Sequence, residues 1–168
     1  DYEMELISGI YEILPNRFGA GIIQNNFELL GEIKYTDSEI DYANTILKET
    51  GKELKGLDGT IKPLRPTVPA TGGSTDVGDV SQVVPVVRLR TTTAAKDGPW
   101  HSWAVVACTG MSIGHKGMIY ASKALAMTML DLYKNPKLID GVRKEFLVRK
   151  GDRVYVPQIP PGPPKLID

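Results

Sequence analysis

The sequence predicts an α/β fold in which helices flank a sheet, and three patterns support this prediction. Apolar residues recur at helical spacing in several segments that begin with recognisable helix-start signals. A β-branched run from Val83 to Leu89 is apolar on both faces, which is typical of a central strand covered on two sides. The segment from Tyr2 to Leu14 alternates imperfectly between apolar and polar residues, and it predicts a strand with a kink near Gly9.

Two helices are predicted in the first third of the chain. The first runs from Arg17 to Leu30 after Pro15-Asn16, and Gly31 ends it. The second begins at the capping-box pattern Thr36–Glu39, in which a hydroxyl and a carboxylate satisfy free backbone amides, and it continues to Gly51.

A longer helix is predicted after Ser112 or Gly114, either of which could cap it. Its apolar residues form a wide stripe with Leu125 at the centre, so we expect this face to be buried against the sheet. Asn135-Pro136 ends this helix, and Pro136 also suits the first turn of a last helix, Lys137 to Lys150. The stripe consists of Met118, Ser122, Leu125, Met129 and Leu132.

Glycine and proline mark the loops between these elements. The segment from Lys52 to Thr71 is long for a loop in a compact domain, and such loops are often functional or mobile. A second loop runs from Thr91 to Trp100. The proline-rich tail from Pro157 to Pro164 is expected to be extended on the surface.

Composition excludes several classes of function. Lys+Arg and Asp+Glu both number 20, and a net charge of zero argues against a general binder of nucleic acid or membrane surfaces. The single cysteine, Cys108, excludes an internal disulfide framework and predicts a reducing, cytoplasmic location. No apolar stretch is long enough for a membrane span, and no signal peptide is visible. Since the chain begins at Asp1 in a strand-like pattern, we expect it to be a piece of a longer protein.

The two histidines are candidates for chemistry. His101 lies in a loop between Trp100 and Trp103, where an imidazole either finds a hydrogen-bond partner or binds a ligand. His115 lies at a helix start, where a neutral imidazole could act as a cap. Taken alone, each histidine fits a structural role as well as metal binding or catalysis.

The glycine-rich segment Thr71–Asp79 is the other candidate. It is not a P-loop, because no Gly-Lys-Ser/Thr follows and a strand is predicted after it instead of a helix. Asp76 and Asp79 would repel a phosphate, so a nucleotide-binding domain is the least favoured interpretation. The segment is either a loop that shapes a polar or metal-bearing cleft or a plain turn with side-chain hydrogen bonds.

Three stretches together resemble the C-terminal part of the aminoacylase/carboxypeptidase superfamily of co-catalytic metal hydrolases. They are Tyr11–Asn16, Gly73–Ser81, and Pro99–Trp103 with the following Ser112–Met118. The third stretch is the most specific, and its order and spacing relative to the second match the family. The resemblance covers residues 2 to 150.

The resemblance implies a catalytic three-layer α/β/α domain of the metallo-exopeptidase type, interrupted by a smaller dimerisation or lid domain. Residues 1–15 would be a strand remnant of that lid domain, and residues 16–168 would be the C-terminal part of the catalytic domain. A homo- or hetero-oligomer formed through the lid domain would follow.

The resemblance also implies two divalent metal ions, zinc or manganese, with His101 as a ligand. The expected reaction cleaves an amide bond of an N-acyl or aminobenzoyl amino acid, and a metal would activate water and polarise the carbonyl. The family's other ligands and its general-base glutamate come from the N-terminal half, so this chain alone is expected to be inactive. The residues expected near the substrate cleft are Gly73, Ser74, Thr75, Asp76 and His115.

The alternative is a non-catalytic interaction module, in which the same fold serves as a partner subunit. A preceding segment that carries His, Asp and a Glu-Glu pair would favour the enzyme. Neither interpretation includes a nucleic-acid or membrane partner.

Overall fold

The computed structural model describes residues 2–4, 6–65 and 73–163, and this part of the chain is helical. Its helices are α1 (Arg17–Leu30), α2 (Asp37–Glu49), α3 (Val77–Val83), α4 (Trp103–Thr109), α5 (Ser112–Lys134) and α6 (Pro136–Lys150). These residues form no strand and no sheet. The predicted α/β class, with its three-layer domain and strand remnant, is therefore wrong.

The chain divides into two compact units, each assembled from segments that are distant in sequence. Unit 1 consists of Asp1–Gly19, Arg65–Val87 and Pro136–Asp168, and unit 2 consists of Ala20–Leu64 and Arg88–Asn135. Unit 1 contains α3 and α6, whereas unit 2 contains α2, α4 and α5. The predicted domain boundary between residues 15 and 16 stays a prediction.

The first two predicted helices are confirmed. α1 covers the predicted residues, and Gly31 follows it with a φ of 75°, in the left-handed region that favours glycine. At the start of α2, the Thr36 hydroxyl accepts from the Glu39 amide, and the Glu39 carboxylate accepts from the Thr36 amide. Both helices follow from local signals in the sequence.

The last two predicted helices are also found. α5 ends before Asn135, and Pro136 is the first residue of α6, as the sequence predicts. The predicted cap of α5 is not observed, because Met111 is the N-cap residue and no side chain makes a cap hydrogen bond. At 23 residues α5 is long, yet no helix in the described ranges has the length and apolarity needed to cross a bilayer.

The predicted N-terminal strand, Tyr2–Leu14, is not found. A strand needs a neighbouring strand to pair its backbone groups, and in unit 1 the side chains of α3 do this instead. The Tyr11 amide donates to the Asp79 carboxylate at 3.2 Å, and the Leu14 amide donates to the Ser81 hydroxyl at 2.9 Å. The segment is therefore held by a helix rather than by a sheet.

The predicted central strand, Val83–Leu89, is also not found. Val83 is the last residue of α3, a helix that the glycine-rich pattern did not predict. Val84 has extended backbone, with φ −132° and ψ 153°, but no strand lies beside it in the described parts of the chain. Pro85 has no amide hydrogen for a sheet ladder, which further disfavours a central strand.

The buried face of α5 differs from the predicted one. Leu125, expected at the centre of the buried stripe, is 45% exposed, and Met118 and Met129 are 56% and 61% exposed. A Cβ at Gly117 would clash with the carbonyl of Thr92, so α5 approaches this loop through a residue without a side chain. The prediction failed because it ranked positions by apolar size, whereas the close contact needs small residues. The buried positions are Ile113, Gly114, Gly117, Ala124 and Thr128.

The core of unit 2 is formed by α2, α4, the start of α5 and the loop before α4. Leu47 and Cys108 are fully inaccessible in it. Cys108 is a free thiol, and at this position it packs as a small apolar side chain. The core residues are Ala43, Ile46, Leu47, Ala95, Ala104, Cys108 and Ile113.

Hydrogen bonds in unit 1 join the start of α1 to α6. The Asn16 side-chain amide donates to the Val142 carbonyl at 2.8 Å, and the Asn16 side-chain oxygen accepts from the Gly19 amide at 2.8 Å. The Phe18 amide donates to the Glu145 carboxylate at 2.6 Å. The side chains of Asn16 and Glu145 thus satisfy backbone groups that a helix leaves free.

The predicted loops are loops as far as the structure describes them. Residues 52–65 and 91–100 form no helix or strand, and the remaining part of the first predicted loop, residues 66–71, lies outside the described residues. The tail residues 157–163 are mostly exposed, and Pro164 lies outside the described ranges.

Candidate functional site

His101 lies at an exposed turn just before α4. Its φ of 57° falls in the left-handed region, which is uncommon for a residue with a side chain. Ser102 holds the turn, because its hydroxyl donates to the Pro99 carbonyl at 2.6 Å and accepts from the Ala104 amide at 3.3 Å, capping α4. The imidazole of His101 is therefore exposed to solvent on a backbone that is held in place.

The loop that leads to His101 is tied to the loop after α2. The Lys96 amide donates to the Gly56 carbonyl at 2.9 Å, and the Lys55 ammonium donates to the Asp97 carboxylate at 2.9 Å. The Lys96 ammonium also lies 3.2 Å from the Asp58 carboxylate. These bonds fix the residues immediately before the turn.

A small apolar pocket lies at the base of this loop. Its empty volume is about 170 Å³, below the roughly 300–1,000 Å³ that ligand pockets usually have. The lining offers no charged side chain to orient a substrate. The lining residues are Ile46, Ala94, Ala95, Gly98, Pro99, Ala104 and Val105.

His115 is exposed in the first turn of α5. Its backbone amide donates to the Met111 carbonyl at 3.1 Å. The capping role expected for its imidazole is not observed, because no side chain caps this helix. His115 and His101 both belong to unit 2.

A buried carboxylate at the start of α5 was not predicted as a site from the sequence. The Glu39 side chain is 9% exposed. It accepts hydrogen bonds from the Ser112 hydroxyl at 2.7 Å, the Lys116 ammonium at 2.6 Å and the Thr36 amide at 2.7 Å. We call these four residues the Glu39 junction. The capping box made Thr36 and Glu39 recognisable, but nothing in the sequence connects them with the two residues on α5.

The electrostatics of the Glu39 junction are those of a partnered charge. Burial alone would raise the pKa of Glu39, but the hydrogen bonds from Lys116, Ser112 and Thr36 lower it to about 2. Burial and the nearby Glu39 charge raise the pKa of Tyr35 to about 12. Within the described residues, no buried side-chain nitrogen or oxygen lacks a hydrogen-bond partner. The junction therefore connects α2 with α5 and presents no unsatisfied group to a ligand.

The glycine-rich candidates belong to unit 1. Gly73, Ser74 and Asp76 are exposed, and Thr75 is partly buried. Asp76 directly precedes α3 and makes no cap hydrogen bond. Thr71 and Gly72, the first two residues of the predicted motif, lie outside the described residues. The expected position of this segment beside a cleft stays a prediction.

The rest of that motif has a structural role. A Cβ at Gly78 would clash with the Tyr11 carbonyl, so glycine allows α3 to lie close to the segment before α1. Asp79 accepts from the Tyr155 hydroxyl at 3.0 Å and from the Tyr11 amide. Burial and the hydrogen bond to Asp79 raise the pKa of Tyr155. These residues join three segments of unit 1.

The residues present do not form a complete metal centre. Across residues 2–4, 6–65 and 73–163, no three His, Cys, Asp or Glu side chains are grouped closely enough to hold a metal ion. His101 could supply one imidazole, but a protein metal centre of the zinc type needs three or four ligands. No reaction step can therefore be assigned to a metal held by these residues alone.

Two curated proteins are similar to parts of this chain. The chain is 35% identical over 89 residues to a p-aminobenzoyl-glutamate hydrolase subunit from Escherichia coli (strain K12), an alignment that covers 53% of this chain and 18% of that protein. It is 39% identical over 99 residues to Xaa-Arg dipeptidase from Mus musculus, covering 59% of this chain and 21% of that protein. No family model and no solved structure matches the chain.

The matched part spans about a fifth of the length of these curated relatives. The motifs quoted from the sequence resemble the Escherichia coli hydrolase in particular, and the similarity to it agrees with that resemblance. The predicted resemblance is thus confirmed. The chain is similar to part of an amidohydrolase or peptidase.

Proposed function

We propose that this chain is part of a metal-dependent amidohydrolase that cleaves an amide bond of an N-acyl or aminobenzoyl amino acid. The similarity to two relatives supports the proposal. One is named as a hydrolase of p-aminobenzoyl-glutamate and the other as a dipeptidase, and both names denote cleavage of an amide bond to an amino acid.

In this proposal His101 supplies one imidazole nitrogen to a zinc or manganese ion. The side chain is exposed on a fixed turn, and within the described residues no hydrogen bond engages the imidazole. A free, positioned imidazole is the commonest metal ligand that proteins offer. The remaining ligands would come from outside the described residues. The proposed cleft residues are Gly73, Ser74, Thr75, Asp76 and His115.

A non-catalytic partner subunit is the second candidate. The absence of a three-ligand group in the described residues is the observation that favours it. Such a subunit would associate with another chain as a homo- or hetero-oligomer, whereas the enzyme would hold the substrate itself.

The proposal is tested by comparing this chain with a protein of its relatives' length. The longer protein, loaded with Zn²⁺ or Mn²⁺, should release glutamate from p-aminobenzoyl-glutamate, measured by liquid chromatography. The purified 168-residue chain should bind Zn²⁺ weakly and release no more than a metal-only blank, because it supplies only His101.

Each half of this experiment can contradict the account. Turnover by the 168-residue chain alone would show that the site is complete within it. A longer protein that binds metal but hydrolyses no acyl-amino acid would contradict the enzyme and favour the partner subunit.

A further inference from the structure

The structure carries an exposed tryptophan pair beside His101, and we propose that it binds the aromatic acyl group of the substrate. This inference rests on the proposed function. Trp100 and Trp103 would be specificity-determining residues that stack against an aminobenzoyl ring, while His101 between them faces the bond to be cleaved.

The exposure of both indoles is the first observation. Trp100 is 69% exposed and Trp103 is 55% exposed, and the chain has no other tryptophan. Within the described residues no hydrogen bond or ring contact engages either indole. Val106, one turn after Trp103 on α4, is 71% exposed and extends the same apolar surface. Large apolar side chains that share a surface in this way mark a binding site more often than isolated ones do.

The fixed backbone is the second observation. The Ser102 hydroxyl bonds to the Pro99 carbonyl and to the Ala104 amide, so both ends of the turn are held. The left-handed φ of His101 sets the chain direction between the two indoles. A surface that is ordered before binding loses less conformational freedom when the ligand arrives.

The local charges favour a neutral ring over a cationic side chain. Arginine also stacks on indole, but its recognition is strong when a carboxylate accepts from the guanidinium. The single carboxylate in residues 94–111 is Asp97, and its oxygen accepts from the Lys55 ammonium at 2.9 Å. No unpaired carboxylate in this segment is therefore available to an arginine. An aromatic acyl group needs only the offset or edge-to-face contact that the indoles offer.

The test compares an aromatic with an aliphatic substrate in the longer protein loaded with metal. Trp100→Ala and Trp103→Ala should each lower kcat/KM for p-aminobenzoyl-glutamate on the order of ten-fold, mainly through KM. The rate on N-acetyl-glutamate should not change, and Trp100→Phe and Trp103→Phe should keep most of the aromatic activity. Met129→Ala, which removes an exposed apolar side chain from α5, is the control and should change neither rate.

Calorimetric binding of p-aminobenzoyl-glutamate separates this inference from the proposed function. Binding that depends on the tryptophans, without hydrolysis of either substrate, would support the inference and contradict the proposed function. Hydrolysis of p-aminobenzoyl-glutamate at the same KM in all variants would overturn the inference and leave the function standing. An equal loss on both substrates would overturn it as well, because the indoles would then serve the fold or the whole site.

Discussion

The Glu39 junction and the His101 turn lie in the same unit and are built in contrasting ways. In the junction, a buried carboxylate accepts from a hydroxyl, an ammonium and a backbone amide. At the turn, Ser102 fixes the backbone, while the side chains of Trp100, His101 and Trp103 are exposed and free of hydrogen bonds within the described residues. One region is fully satisfied internally, and the other is ordered but open to a ligand.

This difference separates residues that stabilise unit 2 from residues that are available for function. Removing a partner from a satisfied buried network leaves the other groups unpaired, which is costly. Removing an exposed side chain from a fixed turn costs little stability. The substitutions below should therefore affect stability at the junction and ligand binding at the turn.

The largest effect on stability is expected at Glu39. Glu39→Ala removes the acceptor of Ser112 and Lys116 and breaks the capping box of α2, so the free energy of unfolding should fall by about 2–4 kcal/mol. Urea unfolding followed by circular dichroism measures this change. Glu32→Ala is the control, because Glu32 pairs with Lys34 at the surface, with exposed side-chain fractions of 44% and 83%, and its loss should stay within about 0.5 kcal/mol.

The same contacts give the wild type a characteristic acid dependence. The pKa of Glu39 is lowered from its ordinary 4.5 to about 2 in the folded state. A lowered pKa means that this contribution to stability is fully present above the ordinary value and is lost as pH falls through 4.5 towards 2. Glu39→Gln should lose less stability than the wild type across this window. Parallel acid profiles for the two proteins would show that the carboxylate charge does not stabilise the junction.

A smaller and opposite effect is expected at His101. Its φ of 57° is disfavoured for a residue with a side chain, and such strain costs roughly 1 kcal/mol or more. His101→Gly relieves the strain, although glycine loses more backbone freedom on folding, so stability should be unchanged or higher by up to about 1 kcal/mol. Thermal unfolding of this variant beside the wild type measures the difference. A loss of stability larger than this would show that the imidazole itself holds the turn.

The sequence predicts the parts of the fold that local signals determine. The capping box at Thr36, the stop at Gly31 and the Asn135-Pro136 junction place four helices correctly. It does not predict α3 and α4, which are seven residues each. Helices this short depend on tertiary contacts, since a helical nucleus is unfavourable by itself. The same contacts overturn the predicted strands, because α3 binds backbone groups that a sheet would have paired.

The candidate site is predictable to a similar degree. His101 and its aromatic neighbours are visible in the sequence, as is the turn they occupy. The partners of Glu39 on α5 are 73 and 77 residues away along the chain, and no local pattern connects them. The buried face of α5 was assigned wrongly for a related reason: Gly117 and Ala124 are buried by neighbours that the helical pattern does not contain.

The most direct test of the account is the metal content of two histidine variants in the longer protein. His101→Ala and His115→Ala are compared with the wild type by elemental analysis, with turnover of an acyl-glutamate measured on the same samples. We predict that His101→Ala loses bound metal and turnover together, whereas His115→Ala keeps its metal, because His115 is proposed only as a cleft residue. Full metal occupancy and a near-normal rate in His101→Ala would contradict the account, and loss of metal in His115→Ala alone would assign the ligand to the other histidine.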